Sequence, residues 1–514
     1  MNRRCNNAAV RLGIHIITLV LSAGLVGTVT TSVSGQRGQE LVVAMGSEPV
    51  SLNPFVGGDF ASHDVMRQIF DTLLTLDKDG KLVPMLAESF EPAGPTTWLV
   101  RLRRGVKFHN GEPFNAEAVQ FTYNTILNPE TQARGRSGIV GVANVEIVDE
   151  YTVKIHTEKP MPVLPWRNIY GGTGSVIIVP PRYFREVGHR GYADRPIGTG
   201  AFKFVQGVKG QFIRLEANGE YWRGRPKVDT VTIRIVPEPS TRVAALLAGE
   251  ADISIDLPVD LAPQVRTSPG TKLITGFFGR GNLYWQFNPI GPFADRRVRL
   301  AVVHAVNMNR ILGSLFGEYA VRIGVPLHDG SFGLNKAIKP YPYDPAKARR
   351  LLQEAGYPNG FSTTFYTSNR YTFQKEMSEA MAADLAKVGI KVNITMAESA
   401  RYLELMANRQ AGPLFLILWG TLDLDADILV NMFHSQAAFA TWKDPGVDKL
   451  LDAARTELDL KKREALYFQV EQRLYDQVAY LAGHREKWIM GVSSRVEWQP
   501  LLGRAVYFWN TTKN

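Results

Sequence analysis

The chain has 514 residues, of which 45% are hydrophobic, 21% charged and 10% aromatic, and this composition excludes a disordered or fibrous protein. Its single cysteine excludes a disulfide scaffold, a zinc ribbon and an iron–sulfur site built from several thiolates. The net charge of +10 is spread along the chain rather than gathered in one stripe, so no nucleic-acid partner is expected.

The first 34 residues predict a cleavable secretory signal peptide. A basic start is followed by an apolar run over 14–29 and by small residues at 32–34, and cleavage is expected near Ser34. The run is shorter than the roughly 20 residues of a membrane-spanning helix, although an uncleaved anchor is the alternative. Cys5 precedes the run, whereas the lipidated cysteine of a lipoprotein follows it. We therefore expect a cysteine-free mature protein outside the cytoplasm.

Strands dominate the predictions for the first half of the mature chain. Residues 41–45 are apolar throughout, as in a strand buried on both faces, and residues 98–103 alternate between apolar and other side chains. Asn115 is expected to cap a helix that ends at Leu127. Further short strands are predicted at 151–156, 176–179, 202–205, 212–216 and 231–236.

The second half predicts helices packed on a parallel sheet. Asp344 caps a helix that ends at Gly356, and a strand, helix and strand at 361–367, 373–387 and 390–396 form a βαβ unit. Two more helices are predicted at 447–457 and 460–477, the second capped by Asp459. The predicted fold class is therefore mixed α/β with several lobes.

Residues 98–121 read WLVRLRRGVKFHNGEPFNAEAVQF. This closely resembles the signature of the extracytoplasmic solute-binding proteins of family 5, the oligopeptide, dipeptide and nickel group that serves ABC importers. Five more blocks resemble this family in order: SLNP at 51–54, GKLVPMLAES at 80–89, PIGTGAF at 196–202, AALLAGEADI at 244–253 and PFADRRVR at 292–299.

The resemblance implies a periplasmic binding protein (Venus flytrap) fold, with two α/β lobes joined by a hinge and an extra strand-rich lobe. The implied segments are lobe I at 35–77, 195–272 and 483–514, lobe II (the extra lobe) at 78–194, and lobe III (the opposite ligand-binding lobe) at 273–482.

The most informative candidate site follows the buried strand that ends at Trp419, because ligands of α/β lobes gather beyond the carboxyl ends of strands. In the family's peptide binders an Asp three residues after such a Trp takes the peptide's α-ammonium. Here that position is Leu422, and Asp423 follows it. Either a loop shift brings Asp423 into the role or the ligand has no ammonium there. The site residues predicted for this stretch are Trp419, Gly420, Thr421, Leu422, Asp423 and Asp425, although Asp425 and Asp427 could instead cap the next helix.

Two more segments are candidates for the cleft. In the strand over 282–288, near the expected hinge, one of Tyr284 and Trp285 is expected to line it, with an aromatic face for the ligand. Ser47 and Glu48 follow the first strand, where a structural turn is the alternative. The glycine-rich loop at 166–175 fails the P-loop pattern and is expected to be a surface loop, with closure over the ligand as the alternative.

No pattern of catalytic residues is visible. The nine histidines are scattered without a His-Glu-x-x-His motif, there is no Gly-x-Ser-x-Gly elbow, and His109 and His434 are expected to be structural. We therefore expect no enzyme activity, cofactor or metal, although a nickel-chelate binder remains open.

The sequence thus predicts the periplasmic solute-binding component of an ABC importer, a monomer that delivers a small solute to the permease subunits in the membrane. A short peptide or peptide-like compound is the main ligand hypothesis. An oligosaccharide, an opine or a nickel chelate is the alternative, and a hydrolase on the same scaffold is the alternative from another class.

Overall fold

The computed structural model describes residues 39–78, 80–170, 175–277, 281–419, 424–500 and 506–514, which belong to one compact unit. The predicted signal peptide lies outside these residues. No helix among them is long and apolar enough to cross a membrane.

The strands of the described residues are β1 Glu40–Met45, β2 Leu74–Leu76, β3 Leu82–Pro84, β4 Ala87–Gly94, β5 Thr97–Leu102, β6 Val142–Asp149, β7 Thr152–Thr157, β8 Phe202–Val208, β9 Phe212–Ala217, β10 Thr230–Ile235, β11 Ile253–Ser254, β12 Thr271–Gly276, β13 Asn282–Phe287, β14 Ala320–Arg322, β15 Phe361–Thr367, β16 Ile390–Met396, β17 Leu414–Trp419, β18 Tyr480–Glu486, β19 Trp488–Ser493, β20 Val496–Glu497 and β21 Thr512–Lys513.

The α-helices are α1 Phe60–Ile69, α2 Ala116–Leu127, α3 Arg136–Ile139, α4 Pro181–Asp194, α5 Pro239–Leu247, α6 Ala262–Thr267, α7 Arg296–Ala305, α8 Met308–Phe316, α9 Pro345–Glu354, α10 Gln374–Ala386, α11 Ser399–Ala407, α12 Ile428–Phe433, α13 Pro445–Thr456 and α14 Leu460–Asp476. Short 3₁₀ helices lie at Pro129–Thr131, Leu164–Asn168, Gly291–Ala294 and Gly317–Tyr319.

A seven-stranded sheet in the order β12-β19-β11-β1-β10-β9-β8 forms the first layer. The predicted first strand is confirmed as β1, which lies inside the sheet between two parallel partners, β10 and β11. A strand buried on both faces has no solvent side, which explains why residues 41–45 carry only apolar side chains.

The antiparallel sheet β4-β5-β7-β6 packs with helix α2. The predicted alternation is confirmed in β5, where Trp98, Val100 and Leu102 are buried. The predicted helix begins after Asn115, whose Oδ1 accepts from the amides of residues 117 and 118. The strand predicted at 176–179 is wrong, because Ile177 forms only an isolated bridge with Thr72.

The block at 196–202 has a physical explanation in the packing of Gly198. A Cβ atom at this residue would lie 2.1 Å from the carbonyl oxygen of Ile69, so only glycine fits against the end of α1. His109 fixes the same turn: its Nε2 lies 2.9 Å from the carbonyl oxygen of Gly200, and its Nδ1 accepts from the amide of Gly198. Burial lowers the pKa of His109 to about 4, so the ring is neutral, and its predicted structural role is confirmed.

The far sheet, in the order β14-β18-β13-β17, is covered on both faces. One hydrophobic cluster contains Tyr284 with helices α12 to α14, and the other contains Trp285 with helices α7 to α10. The predicted βαβ unit is confirmed, because β15 and β16 pair in parallel with α10 between them. Asp344 and Asp459 cap α9 and α14 as predicted.

The chain passes twice between the seven-stranded and the far sheet, through residues 277–281 and through Lys487. We call the described residues of 39–277 and 488–514 body A, and the described residues of 281–486 body B. Body A contains both the seven-stranded sheet and the β4-β5-β7-β6 sheet. The lobe limits expected at 272 and 482 fall inside β12 and β18, so the change of sheet comes a few residues later at both places. The division into three lobes stays a prediction.

Candidate ligand-binding site

Four residues form one cross-strand row at the end of the far sheet where both crossovers begin. Asn282 of β13 pairs with Trp419 of β17 on one side and with Arg485 of β18 on the other, and Arg485 pairs with Val321 of β14. Directly opposed residues of antiparallel strands present their side chains on the same face. An amide, an indole and a guanidinium are therefore held side by side.

Three buried polar atoms of this row have no hydrogen-bond partner among the described residues: Asn282 Oδ1, Trp419 Nε1 and Arg485 Nε. Asn282 is 1% and Arg485 3% exposed. Leaving a buried polar group unsatisfied costs about 1–3 kcal/mol, and native proteins leave few such groups. One acceptor and two donors on one face form a candidate site for a ligand that offers both kinds of group.

The neighbouring loop and crossovers hold this row in place. The side-chain Nδ2 of Asn282 donates to the carbonyl oxygen of Pro326 at 3.4 Å, and Arg485 Nη2 donates to the Asp329 carboxylate at 2.5 Å. The ring of Phe277, at the start of the first crossover, lies 5.3 Å from the Arg485 guanidinium and 5.2 Å from the Lys487 ammonium. The Phe277 ring thus contacts one cation at the end of β18 and one in the second crossover.

The segment Leu424–Asp427, beyond the carboxyl end of β17, is fixed by backbone and side-chain contacts. Phe332 donates its amide to the carbonyl of Leu424 and accepts from the amide of Ala426, both at 2.9 Å. Both carboxylate oxygens of Asp425 accept from Arg463 at 2.7 Å, and both side chains are 2% exposed. Burial disfavours the charged form of Arg463, but the Asp425 carboxylate raises the pKa of Arg463 above its usual value.

Asp427 joins two arginines from different bodies. Arg167, in the 3₁₀ helix of body A, donates to one carboxylate oxygen at 3.2 Å, and Arg455 of α13 donates to the other at 3.1 Å. The Asp427 carboxylate is 5% exposed, whereas the Arg455 side chain is 50% exposed. A cavity of about 700 Å³ beside this ion pair is lined from body A by Lys159, Met161 and Arg167 and from body B by Asp427, Asp452 and Arg455, among others.

A buried acid lies in the core of body B. Glu471 of α14 has no exposed area, one carboxylate oxygen accepts from the amide of Asn335 at 2.7 Å, and the other has no partner among the described residues. Burial raises the pKa of Glu471 to about 8, so the side chain is neutral at pH 7.

The sequence profile of the bacterial extracellular solute-binding proteins, family 5 (middle region), matches residues 81–440. The glutathione-binding protein GsiB of Pectobacterium atrosepticum is 30% identical over 477 residues, which cover 89% of this chain and 91% of that protein. The chain belongs to family 5 of the extracellular solute-binding proteins.

Solved structures of similar proteins agree with this fold. The binding protein AgaA from A. tumefaciens R10 in complex with agropinic acid has 26% identity and a TM-score of 0.75, and covers 92% of this chain and 99% of its own. DppA from Helicobacter pylori in complex with the peptide STSA has 25% identity and a TM-score of 0.76, and covers 94% of this chain and 100% of its own. The α/β fold of periplasmic binding proteins, expected from the sequence, is confirmed.

Of the site residues predicted after β17, the structure places two. Trp419 is partly buried in the row described above, with its ring 5.9 Å from that of Phe439. Asp425 lies inside the ion pair with Arg463, where both of its oxygens are occupied. Its assignment as a residue that contacts the ligand stays a prediction. Gly420, Thr421, Leu422 and Asp423 lie outside the described residues.

The structure places Tyr284 and Trp285 in the two cores of body B, both without exposed area. The Tyr284 hydroxyl donates to Gln286, and its ring packs against Phe433 and Tyr480. Alternation along the strand predicted that one of these two rings lines the cleft, but helices cover both faces of the far sheet. In this structure neither ring lines an open surface.

Ser47 and Glu48 are exposed after β1. The Glu48 carboxylate accepts from the amide of Gly210, in the turn between β8 and β9, at 2.9 Å. This contact fits the alternative of a structural turn. His434 Nδ1 accepts from the amide of Gln436, which confirms a structural role for this ring. No group of three or more His, Cys, Asp or Glu in the described ranges is placed to hold a metal ion.

Asn282, Arg485 and Arg167 were not among the site residues predicted from the sequence. Asn282 could have been found, because it is the first residue of the strand over 282–288, which was itself a candidate for the cleft. Arg485 carried no such signal, since its neighbours in HREK are all polar or charged.

Proposed function

We propose that this family 5 protein captures a short peptide or peptide-like solute, carrying a carboxylate and an N–H group, between body A and body B, and delivers it to the permease of an ABC importer. The observation that carries the proposal is the row of buried polar atoms on Asn282, Trp419 and Arg485 that have no hydrogen-bond partner in the described part of the chain.

The chemistry of the row favours a peptide-like solute over a neutral sugar. The positive charge of Arg485 suits a ligand carboxylate, because charge-assisted hydrogen bonds are about twice as strong as neutral ones. Asn282 Oδ1 is an acceptor and suits an amide or ammonium N–H, and the Trp419 ring offers an apolar wall. A peptide presents a carboxylate, N–H groups and apolar side chains together, whereas a neutral sugar has no group that matches the cation.

The relatives support the same class of ligand. GsiB is a glutathione-binding protein, and the similar structures hold agropinic acid and the peptide STSA. Asp423 remains a proposed partner for the ligand's ammonium group. An opine remains within the proposal because it can present a carboxylate, whereas an oligosaccharide or a nickel chelate would contradict it.

The mechanism we propose is closure about the two crossovers. The solute binds the closed arrangement of bodies A and B better than the open one and so shifts the population toward it. The permease then recognises the closed form. We propose that a cleaved signal peptide places the protein in the periplasm, where it acts as a monomer without enzyme activity.

A thermal-shift screen tests the ligand class. The probes are glutathione, the peptide Ser-Thr-Ser-Ala, agropinic acid, a maltooligosaccharide and a nickel chelate, each titrated against the purified protein. A ligand at 100 times its Kd stabilises the folded state by about 2.7 kcal/mol, which raises Tm visibly. Stabilisation by a carboxylate-bearing peptide or conjugate supports the proposal, and the bound compound should be recovered chemically unchanged. A response to the sugar or chelate alone refutes it.

A charge-removing variant tests the site itself. Arg485→Gln should weaken binding of the responding compound at least tenfold, which corresponds to about 1.4 kcal/mol, because the ligand carboxylate loses its cation. Arg401→Gln is the control, since Arg401 forms an exposed pair with Glu404 inside body B and such pairs contribute little. Equal affinities of the two variants, measured by isothermal titration calorimetry, would remove Arg485 from the site.

A further inference from the structure

Bodies A and B are built around separate hydrophobic cores. The seven-stranded sheet and the β4-β5-β7-β6 sheet share one cluster of buried residues, which includes Val43 of β1 and Val100 of β5. The two faces of the far sheet have their own clusters. Because a packed core moves as a unit, the β4-β5-β7-β6 sheet must move together with the seven-stranded sheet when the two bodies separate.

Beside the second crossover, Tyr319 of body B packs in a buried cluster with Leu246 and Ile489 of body A. Away from the crossovers, one short segment of body B reaches into body A. Leu424 is fully buried and is the one residue of body B, among those described, that belongs to the shared core of body A. Three residues later, Asp427 accepts from Arg167 of body A. We call Leu424, Asp427 and Arg167 the latch.

Leu424 and Asp427 are fixed to the rest of body B. Asp425 lies between Leu424 and Asp427 and is held by Arg463, and the bridge to Phe332 fixes the backbone. The segment therefore cannot follow body A when the bodies separate. Separation must expose the Leu424 side chain to water and break the Arg167–Asp427 ion pair.

We infer that Arg167 is a positioning residue for closure: its ion pair with Asp427, away from both crossovers, holds the closed arrangement and thereby sets the affinity for the solute. The inference rests on the proposed function, since it assigns a step of the same closing motion. Arg167 acts through its contact with Asp427 of body B, not by touching the solute.

The second arginine on Asp427 provides a matched control. Arg455 lies in body B with Asp427, so their ion pair persists whether the bodies are together or apart. Arg167→Met and Arg455→Met remove the same charge from the same carboxylate. Only the first removes a contact between the bodies.

The test measures the distance between the bodies without any ligand. Cys5 is the only cysteine, so Cys5→Ser yields a chain without thiols. Cysteines introduced at the exposed residues Val148 of body A and Glu464 of body B then carry spin labels. Pulsed electron resonance gives the populations of short and long distances for the parent, Arg167→Met, Arg455→Met and Arg167→Lys.

Arg167→Met should lower the ratio of short to long distances about tenfold. Arg455→Met should leave it within twofold of the parent, and Arg167→Lys, which keeps the charge, should restore most of it. A folded Arg167→Met with the parent distribution, or equal shifts for the two methionine variants, would overturn the inference. Because no ligand is added, failure of the latch and failure of the proposed ligand class give separate results.

Discussion

Glu471 makes the stability of this protein depend on pH in a direction opposite to that of a salt-bridged acid. The carboxyl group is buried, hydrogen-bonded through one oxygen only, and has its pKa raised from 4.5 to about 8. In the unfolded chain the group ionises near pH 4.5, whereas in the folded protein it keeps its proton until about pH 8. Between these values the folded state binds more protons than the unfolded state, so stability falls as pH rises.

The size of the effect follows from the two pKa values. Each pH unit between 4.5 and about 8 is worth about 1.4 kcal/mol, which sums to about 5 kcal/mol above pH 8 and about 3 kcal/mol at pH 7. Glu471→Gln keeps a neutral group of the same shape that can accept from the Asn335 amide. We expect the variant to match the native protein at pH 4.5 and to be increasingly more stable as pH rises.

The assay is urea unfolding of both proteins at pH 5, 7 and 9, followed by fluorescence. Glu464→Gln, on the exposed side of the same helix, is the control and should shift the unfolding midpoint equally at every pH. A midpoint difference between Glu471→Gln and the native protein that does not grow between pH 5 and 9 would refute the argument that burial keeps Glu471 protonated.

Three further predictions follow from contacts described above. Burial lowers the pKa of His109 from 6.5 to about 4, so the unfolded chain gains a proton first as pH falls; about 3 kcal/mol of stability should be lost between pH 6.5 and 4, and His109→Gln should abolish this loss in acid unfolding curves. Arg463→Met should cost about 3–5 kcal/mol in urea unfolding because it leaves Asp425 buried without its partner, and a loss below 1 kcal/mol would contradict the ion pair. Trp419→Phe removes an Nε1–H that has no acceptor among the residues the structure describes, while keeping a ring, so it should leave stability unchanged and weaken binding of the responding solute about tenfold in calorimetry; unchanged affinity would place the indole N–H outside the site.

Local sequence patterns predicted most of the helices and strands because their causes are local. Asn115, Asp344 and Asp459 each cap a helix with their own side chain, and the periodicity of β5 reflects one buried face. The strand predicted at 176–179 does not form because an apolar run can fill a core without pairing as a strand, as Ile177 does.

The site was less predictable because its members meet only through strand pairing. Asn282, Trp419 and Arg485 are separated by more than 60 residues from one another, and their shared face depends on the register of β13 with both neighbours. Arg463, which neutralises Asp425, likewise lies far along the chain and carries no local signal. For a carboxylate that follows a buried strand, the local sequence does not distinguish contact with a ligand from contact with an arginine.

The order of strands in the seven-stranded sheet also determines when this chain can finish folding. Strand β1 begins at residue 40, but β11 and β12 are joined through β19, which begins at Trp488. Lys513 then donates to the carbonyl of Glu40 and to Asp252, so the last residues are bonded to the first strand. Body B, by contrast, is one continuous stretch between the crossovers. During synthesis it can therefore form early, whereas body A is completed only when residues 488–514 have been added, and the long-range pairing that this requires makes its assembly the slow step.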